Sequence, residues 1–258
     1  MKVLSLYVER DTFIHKLEPV TKLLYALVSI VITFLFPSIT VGAVFVVISL
    51  FLAISAKVFK RMILLLNVVL IILLSIVIIQ GLFYSKNATP VFKLWGLTFY
   101  KEGLLYSLLL IVRVVDMIIS FGVLILTTRP SDLVDDLVQK GLSPRFGYVL
   151  ASVLQIIPQM LSTTSTITDA QRSRGLETEG NLLQRFSAFF ALLGPLVLNS
   201  LVEARERAMA IEIRGFGVEG KRTFVREIPE TKADRWIKVA LYVVFTVAVV
   251  WRIVLWIM

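Results

Sequence analysis

The sequence predicts an all-α polytopic membrane protein with about five transmembrane helices and a cytoplasmic domain of three helices, two of them long and crossing. Three observations support this fold class. Hydrophobic residues make up 57% of the 258 residues, above the roughly 45–50% of soluble domains, and the mean hydropathy is +0.86. Long uncharged runs lie toward both ends of the chain. Residues 129–235 carry 14 of the 27 Lys and Arg residues, which is typical of a bilayer protein with a large aqueous segment.

Five apolar runs are long enough to cross a hydrocarbon core of about 30 Å as helices. They cover residues 17–36, 39–56, 62–85, 103–128 and 236–258. Lys57, Lys60 and Arg61 form a compact basic loop after the second run, and the positive-inside rule places such loops in the cytoplasm. The N-terminus and residues 129–235 are then cytoplasmic, and the C-terminus lies outside. Residues 86–101 are interpreted as a polar and aromatic loop.

These runs divide the chain into three parts. They are an N-terminal transmembrane bundle of four spans, a cytoplasmic part and a C-terminal transmembrane helix, at residues 1–128, 129–235 and 236–258. Within the cytoplasmic part, residues 186–201 contain no charge and could be an in-plane helix or a short sixth span. The in-plane helix is preferred, because a sixth span would place the two similar helix ends described below on opposite sides of the membrane.

Helix-end signals divide the cytoplasmic part into three helices. The first, at residues 131–140, is short and amphipathic and is closed by Gly141. The second opens with Ser143 as the N-cap and a proline at the first helical position, and it runs to about residue 174. The third runs from near Asn181 to about residue 214. Two helices of about 30 residues are therefore expected after the short one.

The fourth span contains two charged residues, Arg113 and Asp116. Residues three apart share one face of a helix, so these side chains can pair with each other. An intramembrane charge indicates a functional site by default. A structural pair that faces the interior of the bundle is the preferred interpretation here.

Composition argues against several other functions. The net charge of +9 follows from the positive-inside rule, and no basic stripe with interleaved aromatic residues indicates nucleic-acid binding. The chain has no cysteine and one histidine, which excludes cysteine-ligated metals. Gly215, Gly217 and Gly220 spell G-x-G-x-x-G, but no strand precedes them and Arg222 stands where a P-loop needs Ser or Thr. No nucleotide or other cofactor is expected.

The second and third cytoplasmic helices finish with parallel sequences. Residues 170–175 read Ala-Gln-Arg-Ser-Arg-Gly, and residues 210–215 read Ala-Ile-Glu-Ile-Arg-Gly. In each, Ala and Arg lie four residues apart on one helix face, and the small Ala leaves room for another surface. The Gly can adopt a left-handed C-cap conformation, and the Arg offers five fixed donors to a partner. One such Arg could simply complement the helix dipole, but the repetition favours a docking function.

These helix ends resemble the two Ala-Arg-Gly-type motifs of the transmembrane coupling (T) component of energy-coupling-factor (ECF) type ABC importers. The matching residues are Ser173-Arg174-Gly175 and Ile213-Arg214-Gly215. Ser and Ile replace the Ala that precedes Arg in the family motif, while the Arg and Gly are kept. The resemblance covers nearly the whole chain in the order of its elements.

The resemblance implies a non-catalytic coupling subunit in the plasma membrane of a prokaryote, surrounded by the lipid bilayer. Two ATPase subunits, the same or different, each accept one motif on the cytoplasmic side, and ATP binding moves the two coupling helices. That motion reorients a separate small membrane subunit, which binds and delivers a vitamin or metal ion. The implied ATPase-docking residues are Ala170, Ser173, Arg174, Gly175, Ala210, Ile213, Arg214 and Gly215.

Two other classes of membrane protein remain as alternatives. A stand-alone secondary transporter usually shows inverted repeats and polar groups at mid-membrane. The predicted order of four spans, a large insert and one final span cannot be divided into two inverted repeats. A membrane-embedded enzyme needs paired carboxylates, histidines or a metal constellation beside its spans. The chain offers one histidine and the isolated carboxylate of Asp116.

Overall fold

The computed structural model describes residues 6–94, 97–176, 180–218, 224 and 230–257. Over these residues the chain forms nine helices and one two-stranded hairpin. In chain order they are α1 (Phe13–Lys16), α2 (Pro19–Leu35), α3 (Ile39–Ser55), α4 (Phe59–Phe83), β1 (Pro90–Leu94), β2 (Leu97–Tyr100), α5 (Lys101–Thr127), α6 (Pro130–Gln139), α7 (Pro144–Ser173), α8 (Leu182–Ile213) and α9 (Lys232–Ile257). The predicted all-α class is confirmed.

Five of the described helices are long and apolar enough to cross a membrane, by length and composition. They are α4, α5, α7, α8 and α9. The apolar helices α2 and α3 have 17 residues each, the lower end of the length that spans a bilayer. The helical, multi-pass nature of the chain is therefore confirmed. The in-plane placement of α7 and α8 stays a prediction, because both also have the length of a span.

By contacts the chain divides into two compact units. One unit, here the bundle, comprises residues 5–140 and 228–258; the other, here the helical arm, comprises residues 1–4 and 141–227. The short helix α6 belongs to the bundle by this measure. The division at residues 128 and 235 predicted from the sequence concerns location relative to the membrane, and it stays a prediction.

Helix α5 is the centre of the bundle and packs against α2, α3 and α4. The core lies where α5 meets the end of α3 and the start of α4. Its buried apolar residues are Ile14, Ala53, Ala56, Val58, Met62, Ile119, Val123 and Leu126. Small residues allow the close approach: a Cβ at Gly122 of α5 would lie 2.7 Å from the sulfur of Met62.

Hydrogen bonds show which helix ends lie together at one end of the bundle. The Lys22 ammonium, near the start of α2, donates to the Thr127 carbonyl at the end of α5, 3.2 Å away. The backbone N–H of Val8 donates to the Leu126 carbonyl at 2.9 Å, which ties the N-terminal segment to the same end. The start of α2 and the end of α5 therefore lie at one end of the bundle, as the predicted topology requires.

The segment between α4 and α5 is more ordered than the loop predicted for residues 86–101. It contains the antiparallel strands β1 and β2, with Lys93 opposite Thr98. The Glu102 carboxylate fixes the start of the hairpin by accepting hydrogen bonds from the backbone of Ala88 and Thr89, at 3.2 and 3.1 Å. The sequence signal for this hairpin consists of two short runs of residues that favour β-strands. Trp95, assigned to this loop from the sequence, lies outside the described residues.

The helical arm consists mainly of α7 and α8, and the predicted helix starts are confirmed. The Ser143 hydroxyl accepts a hydrogen bond from the Phe146 backbone N–H at the start of α7. Asn181 forms a capping box with Gln184 at the start of α8. Gly141, after α6, has a φ of +113°, so the predicted glycine stop of that helix is confirmed too.

Helices α7 and α8 lie antiparallel. In the middle of α7, Gln159 donates to the Glu203 carboxylate of α8 at 3.0 Å and accepts a hydrogen bond from Arg207. Near the start of α7, the ring of Tyr148 contacts that of Phe216 beyond the end of α8, with centroids 5.1 Å apart. Because the start of one helix meets the end of the other, their C-terminal ends point in opposite directions.

Candidate functional site: two matching helix ends

The C-termini of α7 and α8 share one backbone conformation. Arg174 and Arg214 are the C-cap residues, with φ and ψ of −89° and 5° and of −79° and 4°. The glycines that follow have positive φ, +90° at Gly175 and +69° at Gly215. Few residues other than glycine adopt this left-handed region without strain. The Ala-x-x-x-Arg-Gly repeat seen in the sequence therefore corresponds to a repeated structure.

Matching hydrogen bonds close both helix ends. After α7, the N–H of Gly175 donates to the Arg172 carbonyl at 2.9 Å, and the N–H of Leu176 donates to the Gln171 carbonyl at 3.0 Å. After α8, Gly215 donates to Glu212 at 2.9 Å, and the next residue donates to the carbonyl of residue 211 at 3.0 Å. This pair of bonds is the Schellman motif, which satisfies the last free carbonyls of a helix. Each end is therefore a rigid, completed cap.

The predicted docking residues are all exposed to solvent. These are Ala170, Ser173, Arg174, Gly175, Ala210, Ile213, Arg214 and Gly215. Ile213 is 86% exposed. Among the described residues, neither the Arg174 nor the Arg214 guanidinium has an ion pair or side-chain hydrogen bond. Both remain available to donate hydrogen bonds to a partner's carboxylate or carbonyl.

The two ends differ in the charge that accompanies the arginine. Arg172 stands two residues before Arg174, whereas Glu212 occupies the same place before Arg214, and all four side chains are exposed. The first end is therefore more basic than the second. Because α7 and α8 lie antiparallel, the two ends can contact two separate partner surfaces.

The intramembrane charges Arg113 and Asp116 both lie on α5, but the structure corrects the expectation that they pair. The guanidinium of Arg113 donates to the carbonyls of Thr33 and Phe34 at the end of α2, at 3.2 and 3.4 Å. Its charge also lies over the Phe34 ring, 5.1 Å from the centroid. These carbonyls at the end of α2 have no hydrogen-bond partner within the helix, and Arg113 supplies one.

Asp116 is completely buried and is held by hydroxyl groups from two neighbouring helices. Ser29 of α2 donates to it at 2.8 Å and Thr33 at 3.1 Å, and Ser49 of α3 lies 3.4 Å away. Tyr25 extends this group through a 2.7 Å hydrogen bond with Ser49. The carboxylate therefore joins α2, α3 and α5 inside the bundle. These hydroxyl partners come from distant parts of the sequence and could not be found by residue spacing.

A second polar group, which sequence reasoning missed, lies where α2, α6 and α9 meet within the bundle. We call it the anchor cluster, and its charged residues are Glu18, Asp136, Lys140, Glu230, Asp234 and Lys238. Glu18 is only 3% exposed and pairs with the ammonium groups of both lysines. The sequence indicates only one part of this cluster, because Thr231-x-x-Asp234 has the spacing of a helix N-cap.

Comparison with known proteins places the chain in a transport family. Residues 10–224 match the family model described as CbiQ, cobalt transport protein. A protein of Clostridium kluyveri named energy-coupling factor transporter transmembrane protein EcfT is 31% identical over 264 residues, covering 96% of this chain and 95% of that one. Proteins of the same name from Lactococcus lactis subsp. cremoris and Streptococcus thermophilus are 30% and 31% identical, and cover 95% and 87% of this chain. The relatives are therefore similar over nearly their full lengths.

The family match covers most of the chain, including α2–α8 and both of the matching helix ends. The fold agrees with the match, since the described chain is helical and has several helices of membrane-spanning length. A multi-pass protein of the prokaryotic plasma membrane, acting as a component of a transporter, is the role that family and relatives share. The chain therefore belongs to the CbiQ family and is a transmembrane (T) component of the energy-coupling-factor transporter type.

Proposed function

We propose that this chain transmits conformational change from two ATPase subunits to a separate substrate-binding membrane subunit, and so drives import of a vitamin or metal ion. The observation that carries the proposal is the pair of matching, exposed Arg-Gly caps at the ends of α7 and α8. Two caps of the same backbone conformation that point in opposite directions fit a partner that is itself a pair of related subunits. The chain holds no catalytic role here, and ATP is hydrolysed by its partners.

Arg174 and Arg214 are the central docking residues in this proposal. Each guanidinium stands on a rigid Schellman cap and has no partner among the described residues, so docking would not require breaking an existing ion pair. A planar guanidinium can bind a carboxylate through two parallel hydrogen bonds. Ala170 and Ala210 lie one turn earlier on the same faces, where a small side chain permits close contact.

The differing charges at the two caps favour two non-identical docking surfaces. Arg172 makes the first cap basic, and Glu212 lowers the charge of the second. Two different ATPase subunits would fit this asymmetry more closely than two identical ones. We place the N-terminus and both caps in the cytoplasm, where ATP is available, because the positive-inside rule assigns the basic loop at Lys57, Lys60 and Arg61 to that side.

Co-purification from native membranes tests the proposal. Wild-type protein should bring down ATPase subunits and a small membrane protein, whereas the Arg174→Glu/Arg214→Glu variant should lose the ATPases. Removing a charged partner from a buried contact costs about 2–5 kcal/mol of association, which is roughly 30- to several-thousand-fold in affinity. Arg205→Glu is the matched control, because Arg205 is an exposed arginine of α8 outside both caps.

The single variants separate the possible arrangements. If the ATPases differ, Arg174→Glu and Arg214→Glu should each release one of them preferentially. If they are identical, both single variants should reduce the same band by a similar amount. Recovery of the wild-type chain without any ATPase would disprove the proposal, and so would equal recovery of ATPases with the double variant and with Arg205→Glu.

A further inference from the structure

Residues 141–227 of the helical arm are joined to the bundle by a chain connection at each end, and described bundle residues close to both connections lie in the anchor cluster. Lys140 is the last bundle residue before the arm begins at Gly141. The bundle resumes at residue 228, and its first described residues include Glu230 and Asp234. The described bundle residues nearest the two connections therefore lie together in one cluster, although 87 residues of the arm separate the connections in sequence.

Glu18, the residue before α2, is the common partner of the two connections. Its carboxylate pairs with the ammonium of Lys140 on one side and with that of Lys238 on the other. Lys238 also pairs with Glu230 at 3.0 Å. Two ammonium groups therefore flank one buried carboxylate.

Backbone hydrogen bonds attach the same two connections to the first turn of α2. Asp136 of α6 accepts a hydrogen bond from the Val20 N–H at 2.8 Å, and Asp234 of α9 accepts one from the Glu18 N–H at 3.0 Å. The N–H groups at a helix start have no partner within the helix and favour negative charge. Two carboxylates from distant parts of the chain thus cap one helix start, and both are almost fully buried.

Asp234 also fixes its own end of the second connection. Its other oxygen accepts hydrogen bonds from the backbone N–H and the hydroxyl of Thr231, at 3.1 and 2.5 Å. The chain entering α9 is therefore held in place before the helix begins. On the first connection, the left-handed Gly141 lies immediately after the paired Lys140. Each connection thus has a fixed point inside the bundle next to the chain that leads to the arm.

We propose that Glu18 is a positioning residue for transport coupling, which holds both connections of the helical arm at the first turn of α2. Both connections would then act on the same few residues at the start of α2. Movement of the arm is then delivered to the bundle through α2. This inference rests on the proposed function, since it assigns the path by which motion driven by the ATPases reaches the membrane.

The test is the ratio of substrate uptake to ATP hydrolysis in the purified complex, reconstituted into proteoliposomes. Glu18→Gln keeps the size of the side chain and removes the charge that pairs with both lysines. We expect the ATPases to co-purify and hydrolyse ATP as with wild type, while uptake per ATP falls by at least about fivefold, the lower end of a typical coupling effect. The control is Glu9→Gln, which breaks the exposed ion pair between Glu9 and Arg129 and should leave the ratio unchanged.

Two milder variants keep the test decisive if Glu18→Gln fails to fold. Lys140→Met and Lys238→Met each leave Glu18 one ammonium partner, and each should lower uptake per ATP by a smaller factor. Wild-type ratios in all variants that fold would overturn the inference while leaving the proposed function intact. Loss of ATPase binding in Glu18→Gln, with the protein folded, would also overturn it. Absence of ATPases from the wild-type complex would instead overturn the proposed function.

Discussion

Replacement of Gly175 by alanine tests whether the shape of the cap, rather than its charge alone, is needed for docking. Gly175 has a φ of +90°, and a Cβ built there would meet no atom within 4 Å. The added methyl group therefore causes no steric clash, and any loss of affinity in Gly175→Ala comes from the cost of the left-handed backbone conformation. An L-residue in the left-handed region costs roughly 1–2 kcal/mol, which corresponds to about a 5- to 30-fold loss if the cap must be formed for binding.

Asparagine provides the decisive comparison at this position. Asn tolerates the left-handed region better than Ala because its short side chain can hydrogen-bond locally, so Gly175→Asn should bind more tightly than Gly175→Ala despite its larger side chain. Affinity would be measured between the purified chain in lipid nanodiscs and its ATPase subunits. Gly194→Ala, within α8 and also without a contact for the added Cβ, should bind like wild type. Equal affinity of Gly175→Ala and wild type would refute the role of the cap.

Three further outcomes are expected. Gly103→Ala should lower the melting temperature in detergent, because the added Cβ would lie 2.2 Å from the Gln80 carbonyl oxygen and overpacking costs about 1–3 kcal/mol. An unchanged melting temperature would contradict the packing of α4 on α5. Burial raises the pKa of Asp136 to about 6, so the folded protein holds this proton more tightly than the unfolded chain does. The melting temperature of wild type, measured relative to that of Asp136→Asn, should therefore fall as the pH rises from 4 through 6. A difference between the two melting temperatures that does not change with pH would refute this. In the cysteine-free chain, Ser173→Cys and Ile213→Cys should both resist an impermeant thiol reagent in intact cells; labelling of one alone would mean that α8 crosses the membrane.

Local sequence signals predicted most helix boundaries. Ser143 before a proline, Asn181 three residues before a glutamine, and glycines after Arg174 and Arg214 are signals of a few residues, and each marks the helix end that the structure has. Such caps depend on the backbone nearby, so they can be read without knowledge of the fold. The two candidate docking ends were found for the same reason.

Contacts between distant parts of the chain could not be read in this way. The helical spacing of Arg113 and Asp116 correctly predicted that they share a helix, but the partners of their side chains on α2 and α3 lie 67 to 87 residues earlier in the sequence. Glu18 and Asp234 are 216 residues apart, and nothing in their local sequences connects them. Helix periodicity shows which residues share a face, whereas only the packing of the bundle decides what that face meets.

The unequal lengths of the bundle helices have a consequence for the surrounding lipid. At 17 residues, α2 and α3 are about 26 Å long, whereas α4 at 25 residues is about 38 Å long. A hydrocarbon core of about 30 Å is thicker than the length of α2 or α3 and thinner than that of α4, so we expect the lipid beside α2 and α3 to thin while α4 tilts or extends beyond the core. The bilayer beside α2 and α3 is thereby placed under deformation, and the thickness of the membrane becomes one of the forces that set the orientation of the bundle.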